Sequence, residues 1–236
     1  MLKIDLHVHT IASGHAYSTI LESAAYADGV GIEVLAITDH GPSMAGASGI
    51  GYFGNMGRVP RKVRGVNLLM GCETNVVDTD GKIDLDKGII EELDIVLVGL
   101  HKLTPYPSNL SLEDNTKSLI KAITKNRVRV ISHPYRLDFP VDIVELVKAA
   151  SGQGVLLELN LSLLRLFGKN EEILRQVNLM LETAEKLGVR IVVSSDAHIA
   201  TEIGDDSVLS DLCLQIPQGL RLGDRNGYVE VKEFLK

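Results

Sequence analysis

Near the N-terminus the chain reads Lys3-Ile4-Asp5-Leu6-His7-Val8-His9-Thr10, apolar Ile4, Leu6 and Val8 alternating with Asp5, His7 and His9. On a strand, successive side chains point to opposite faces, so Asp5, His7 and His9 are expected to project the same way. An edge strand turning its polar row to water would show the same alternation. The rest of the chain decides between the two. His40, Glu73, His101, His133, Asp196 and His198 each stand at or just past the end of another apolar run, and His15 follows the first. Seven histidines in 236 residues is an ordinary number, but none of them falls in a predicted helix.

Imidazoles joined by one or two carboxylates suit zinc, iron, manganese or nickel, and the scarcity of cysteine argues against a thiolate site. Nine candidate donors (His7, His9, His15, His40, Glu73, His101, His133, Asp196 and His198) exceed what one catalytic ion needs. Two or three ions are expected, with a carboxylate such as Glu73 bridging. Asp5 is expected either to hold an imidazole N–H or to form a buried ion pair elsewhere. Ser194, Asp196 and His198 share a face if strand geometry persists that far.

The elements that must position these groups alternate. Strands are expected at 3–10, 34–40, 66–77, 94–100, 128–132, 154–160 and 189–194. Between them the spacing predicts helices from Ser18, as cap, to Gly29 or Gly31, and over 85–93, 111–126, 141–150 and 171–187, with two more at 207–214 and 228–235. Asp80-Gly81 reads as a turn. Residues 41–65 form a long glycine-rich excursion, either a lid or a packed surface loop. Strand–helix alternation about seven times over, with no break in composition, fits one domain: an open doubly wound sheet or a closed barrel. Chemistry-capable residues at nearly every strand's C-terminal end favour the barrel, a distorted (β/α)7 fold with the metal site at that end, because an open sheet would gather them at one switch point.

Hydrophobic residues make up 45% and charged residues 23% of the chain, as in ordinary globular proteins. No apolar run approaches a membrane span, no secretory leader precedes the first strand, and two cysteines make no disulfide framework. A cytoplasmic protein without a membrane partner is expected. The net charge of −7 disfavours broad binding of nucleic acid, which relies on basic surface.

The ordered set Asp5-Leu6-His7-Val8-His9-Thr10, Ile37-Thr38-Asp39-His40-Gly41, Gly71-Cys72-Glu73, Gly99-Leu100-His101, Ile131-Ser132-His133-Pro134, Glu158-Leu159-Asn160 and Ser194-Ser195-Asp196-Ala197-His198 resembles the PHP (polymerase and histidinol phosphatase) domain. Within that family the chain is most similar to stand-alone bacterial phosphatase-type members. The resemblance implies a distorted (β/α)7 barrel with three divalent ions, commonly zinc, sometimes manganese or iron. It implies one ion on His7, His9, Glu73 and Asp196, a second sharing Glu73 with His101 and His133, and a third on His15, His40 and His198.

Three divalent ions against two carboxylates would leave about +4 at the barrel mouth, which favours a phosphate ester in an acidic protein. The expected reaction is attack of a metal-activated water on the phosphorus of a small monoester, with His7, His9, Glu73 and Asp196 at its centre. Arg136, or the cluster Arg58, Arg61, Lys62 and Arg64, could grip phosphate oxygens. Cys72 should face away as a buried thiol, and Asn160 could support a ligand or touch substrate. A phosphodiesterase or nuclease of the same family, and a metal-holding module without turnover, are the alternatives. Oligomeric state stays open.

Overall fold

The computed structural model describes residues 1–223 and 226–236. Its strands are β1 (Ile4–Val8), β2 (Val34–Ile37), β3 (Lys62–Val63), β4 (Val66–Asn75), β5 (Ile95–Gly99), β6 (Val130–Ile131), β7 (Leu156–Asn160) and β8 (Ile191–Ser194). Seven of them run parallel in the order β1-β2-β4-β5-β6-β7-β8, and the short β3 pairs antiparallel with β4. The crossovers carry α1 (Ile20–Val30), α2 (Ile50–Phe53), α3 (Lys87–Glu92), α4 (Leu112–Lys125), α5 (Ile143–Gln153), α6 (Leu161–Phe167) and α7 (Glu171–Leu187). Two further helices, α8 (Ser207–Asp211) and α9 (Gly227–Phe234), follow β8.

The sheet curls until its two outer strands meet, giving the distorted (β/α)7 barrel. The seam between β1 and β8 has no ladder, only the single bridge Val8–Ala197, with the His9 N–H donating to the Ala197 carbonyl at 2.9 Å. The Leu2 N–H, just ahead of β1, donates to the Gly204 carbonyl at 2.9 Å, and a buried carboxylate adds to these links. Asp5 accepts the backbone N–H of Ser195 on one oxygen and that of Gly204 on the other, each at 3.0 Å. Thus Asp5 holds no imidazole and no ion pair.

Asp5 reaches the seam because β1 is bulged. Asp5 registers with Leu35 but Val8 registers with Ile37, so three steps along β1 match two along β2. The extra residue breaks the period-two rule. Asp5 and Val8 share one face, and His7 and His9 take the other, so the expected row of three polar side chains is divided.

Along the barrel interior, Ile4, Leu6, Val34, Ala36, Ile95, Leu97, Val130, Leu156 and Val192 form one buried cluster, joined by Val231 of α9. The outward residues Leu35, Ile37, Leu68, Met70, Val96 and Val98 pack with helix residues such as Leu146, Val177 and Met180 in a second cluster. α4 and α7 present one apolar face each to the sheet and are capped by Ser111 and Asn170. Thr19, not Ser18, caps α1, in a reciprocal box with Glu22, an interaction typically worth about 1 kcal/mol. Ser18 instead accepts the Ala200 N–H through its hydroxyl at 2.9 Å.

The 41–65 excursion is pinned. Phe53 and Met56 are buried in the core, and Ser43 gives both its N–H and its hydroxyl to Asp84, at 3.0 and 2.7 Å. The strand expected at 128–132 forms ladders only over Val130–Ile131, and α6 occupies a stretch for which no element was expected. Among the described residues no helix is long and apolar enough to cross a membrane.

Candidate metal centre

All nine candidate donors converge on the C-terminal end of the barrel. His7 lies in the bulged end of β1 and His9 one residue beyond it. Glu73 sits on the inward face of β4, in register with Leu97 of the interior cluster, and is fully buried. His101 and His133 follow β5 and β6 by two residues. Gly99 makes room for both, since a Cβ there would stand 2.7 Å from the His101 ring and 3.0 Å from that of His133.

Two of the donors occupy left-handed backbone, His133 at φ 31° and Asp196 at φ 52°. For His133, which precedes a proline, that conformation is disfavoured twice over. The Glu158 carboxylate holds it by accepting the His133 N–H at 2.8 Å. At Asp196 the turn ends the strand geometry of β8. Ser194, Asp196 and His198 therefore do not continue one face as expected, and the turn aims the Asp196 carboxylate back at His9.

Hydrogen bonds on the far side of two rings set their tautomers. His7 Nδ1 lies 2.7 Å from Glu158 Oε1, an acceptor only, so Nδ1 carries the proton. His9 Nδ1 lies 2.9 Å from the Ser13 hydroxyl, whose own proton goes to Asp39 Oδ1 at 2.7 Å, so His9 also donates through Nδ1. Both Nε2 atoms then present lone pairs, and they face each other at 3.0 Å. Asp196 Oδ1 stands 3.0 Å from His9 Nε2 and 3.5 Å from His7 Nε2, and Glu73 Oε2 stands 3.2 Å from His7 Nε2 and 3.6 Å from His9 Nε2.

Four acceptors facing one point repel unless a cation lies among them. Bond lengths to zinc of 2.0–2.1 Å imply a ligand–ligand edge of about 3.3 Å in a tetrahedron, which these separations bracket. A second group repeats the pattern on the other carboxylate oxygen: Glu73 Oε1 lies 3.0 Å from His101 Nε2 and 2.9 Å from His133 Nε2, which are 3.1 Å apart. Buried His40 Nδ1 and Glu73 Oε2 have no hydrogen-bond partner although they stand 2.9 Å from each other. These orphaned donors fit divalent metal, and the site could hold more than one ion.

A third gathering brings His40, His198 and His15 together, the His15 ring stacked 5.0 Å from each of the other two. Here the closest donor atoms are those of His9, His40 and His198, while His40 also groups with Glu73 and His101. His15 stands a little apart.

Charge follows the same logic. Burial opposes ionisation of Glu73 and Asp196, yet the surrounding imidazoles hold both far below the usual carboxylate range. Burial pulls His101 down to about 4 and, with His40 nearby, holds His9 well below the ordinary imidazole value, leaving neutral rings able to ligate. For His7, burial is outweighed by Glu158, Glu73 and Asp196, which raise its affinity for a positive charge.

Over the donors opens a cleft of about 500 Å³. Arg136 lines it, donating from Nε and Nη2 to the Asp138 carboxylate at 3.0 and 2.8 Å. Lys102 lines it too, 3.3 Å from the same carboxylate. The basic cluster at 58–64 does not reach the cleft: Arg61 pairs with Asp94, just ahead of β5, at the opposite end of the barrel.

Sequence reasoning gave no role to Glu158, Ser13, Asp39, Lys102 or Asp138. Asn160 supports ligands rather than facing substrate, bonding Glu158 Oε2 at 3.0 Å and Asp196 Oδ2 at 3.1 Å through its amide nitrogen. Its two-residue spacing from Glu158 on β7 was the available signal. Cys72 is buried, as expected, and burial pushes its thiol well up.

The PHP domain profile matches residues 5–157. A probable phosphatase of Thermoanaerobacter sp. strain X514 is 42% identical over 237 aligned positions, covering 100% of this chain and 95% of the relative. One from Caldanaerobacter subterraneus is 39% identical, covering 100% of this chain and 91% of that protein. Among solved structures, the histidinol phosphate phosphatase of Lactococcus lactis, crystallised with zinc, L-histidinol and phosphate, superposes with a TM-score of 0.60 at 14% identity, covering 98% of this chain and 93% of that one. The chain belongs to the PHP domain family. It is an enzyme of the phosphatase type, as its relatives of similar length are named.

Proposed function

We propose that the chain hydrolyses small phosphate monoesters at a centre of three divalent ions, zinc by preference of the donor set, with manganese or iron as alternatives. The observation that carries the reading is Glu73, whose two oxygens face separate groups of imidazoles. One ion would take His7, His9, Asp196 and Glu73. Another would take His101, His133 and the other oxygen of Glu73. The third would take His40 and His198, with His15 stacked against both.

Bound there, divalent ions supply Lewis acidity, both a water of lowered pKa and neutralisation of charge at phosphorus. The chain's own residues do the rest. Glu158 keeps the His7 proton on Nδ1, and the Ser13–Asp39 pair does so for His9, so both Nε2 atoms stay free as donors. Arg136 and Lys102 flank the cleft as cations for phosphoryl oxygens, and Asp138 orients them. The two cysteines, both free, suit a reducing cytoplasm, and the chain would act there as one domain.

Elemental analysis of purified Glu73→Gln tests the reading. Metal per chain should fall by at least two ions relative to wild type; unchanged stoichiometry would refute the bridging role. Hydrolysis of p-nitrophenyl phosphate, and not of its bis-ester, should disappear with chelator and return with added metal.

A further inference from the structure

The side of the cleft formed by α6 has a chemistry the metal site does not explain. α6 is anchored by Leu161 and Leu164, both buried, and by Asn160, whose side-chain oxygen accepts the Leu163 N–H at 2.8 Å. Its opposite face carries Leu163, Leu166 and Phe167, spaced three and four residues apart so that they align. All three line the cleft, with Leu166 71% and Phe167 53% exposed. Met44 and the 78% exposed Leu103 extend the apolar lining. Large apolar side chains held in water at the mouth of a polar centre call for an apolar occupant.

We infer that this wall is the leaving-group subsite, and that the preferred ligand joins its phosphoryl group to an uncharged apolar alkyl or aryl portion. The inference deepens the monoesterase reading and rests on it for the placement of the phosphoryl group. Continuity identifies the occupant: wall and metal donors line one cleft, and Asn160 fixes α6 to Asp196 and Glu158. A phosphoryl group at the donors leaves its ester substituent a short reach from Leu163 and Phe167.

The charges exclude the other common leaving groups. Among the described residues lining the cleft, Asp196 is the only carboxylate, and it belongs to the metal donors. An ammonium-bearing alcohol would therefore meet Arg136 and Lys102 with no free anion. A polyhydroxylated sugar would find few side-chain acceptors and donors along α6, where Ser162 alone is polar among the lining residues.

Calorimetric titration of the metal-loaded protein with three non-hydrolysable phosphonates tests this independently of turnover. 2-Phenylethylphosphonate should bind roughly tenfold or more tightly than 2-hydroxyethylphosphonate, and 2-aminoethylphosphonate no better than the hydroxyl compound. In Leu166→Ser/Phe167→Ser, exposed positions that leave the core intact, the preference should fall towards one with metal content unchanged; Leu166→Ser alone should give an intermediate value. Equal affinities in wild type, a preference that survives in the double variant, tightest binding of the amine, or no binding of any phosphonate each overturns the inference. So does a change in oligomeric state that weakens all three ligands alike, which would make α6 an interface between copies. Failure to hydrolyse p-nitrophenyl phosphate while the binding preference holds counts against the monoesterase reading alone.

Discussion

Among the described residues Glu73 pairs with imidazoles alone, those of His7, His9, His40, His101 and His133. Histidine rings placed edge to edge at 3.0 Å inside a protein cost free energy, because two lone pairs meet without a proton or a cation between them. The arrangement is that of a receptor for positive charge. Arg136 differs, since its bidentate pairing with Asp138 uses Nε and Nη2 and still leaves it lining the cleft. Arg136→Ala should therefore raise KM for a phosphomonoester by roughly tenfold while metal per chain stays constant, the signature of a group that binds substrate without holding the centre. Unaltered kinetics would retire it as a phosphate clamp. The nine residues that converge were legible in the sequence because histidines and carboxylates recur at or just past the strand ends. The supports were not: serine and aspartate are ordinary loop residues, and only the fold brings Ser13 beside Asp39.

Strands and their connections show where reading by periodicity stops. A bulge adds one residue without changing the apolar pattern, so nothing in Ile4 to Val8 announces that Asp5 leaves the face of His7. Asp5 becomes a clasp between the first and last strands, and burial pushes its carboxyl up to about 6 despite three backbone N–H groups that favour the charge. Because its pKa is raised above the unfolded value near 3.9, its stabilising share is complete below that value and is lost as pH climbs through 6. The metal-free protein's stability advantage over Asp5→Asn should thus shrink by about 3 kcal/mol at most between pH 4 and 7, measured as urea midpoints. A constant difference would mean that Asp5 titrates alike folded and unfolded. α6 escaped notice for a related reason: Leu161 to Phe167 is apolar on both faces, so it carries no polar stripe to mark it as a helix.

For the molecule as a whole, alternation of strand and helix fitted an open sheet as well as a barrel, and it was the chemistry-capable residues at the strand ends that favoured the barrel. Closure was less legible, since it rests on isolated hydrogen bonds and the Asp5 carboxylate instead of a ladder. Metal should therefore matter to the entire fold. An ion present at a hundred times its dissociation constant stabilises by about 2.7 kcal/mol, and in a chain of this size each kilocalorie moves Tm by about 2–4 °C. Chelation should lower Tm by at least about 5 °C and be reversed by added zinc; an unmoved transition would show a barrel indifferent to its ions.

The seam also has a meaning for biosynthesis. His7 and His9 leave the ribosome well before Asp196 and His198, which follow nearly all the intervening strands. Until β8 (Ile191–Ser194) has been made, a nascent chain holds an incomplete set of the candidate donors. With the ligand set proposed above, tight loading at Glu73 would await the release of β8, so that capture of an ion would follow closure of the barrel rather than precede it.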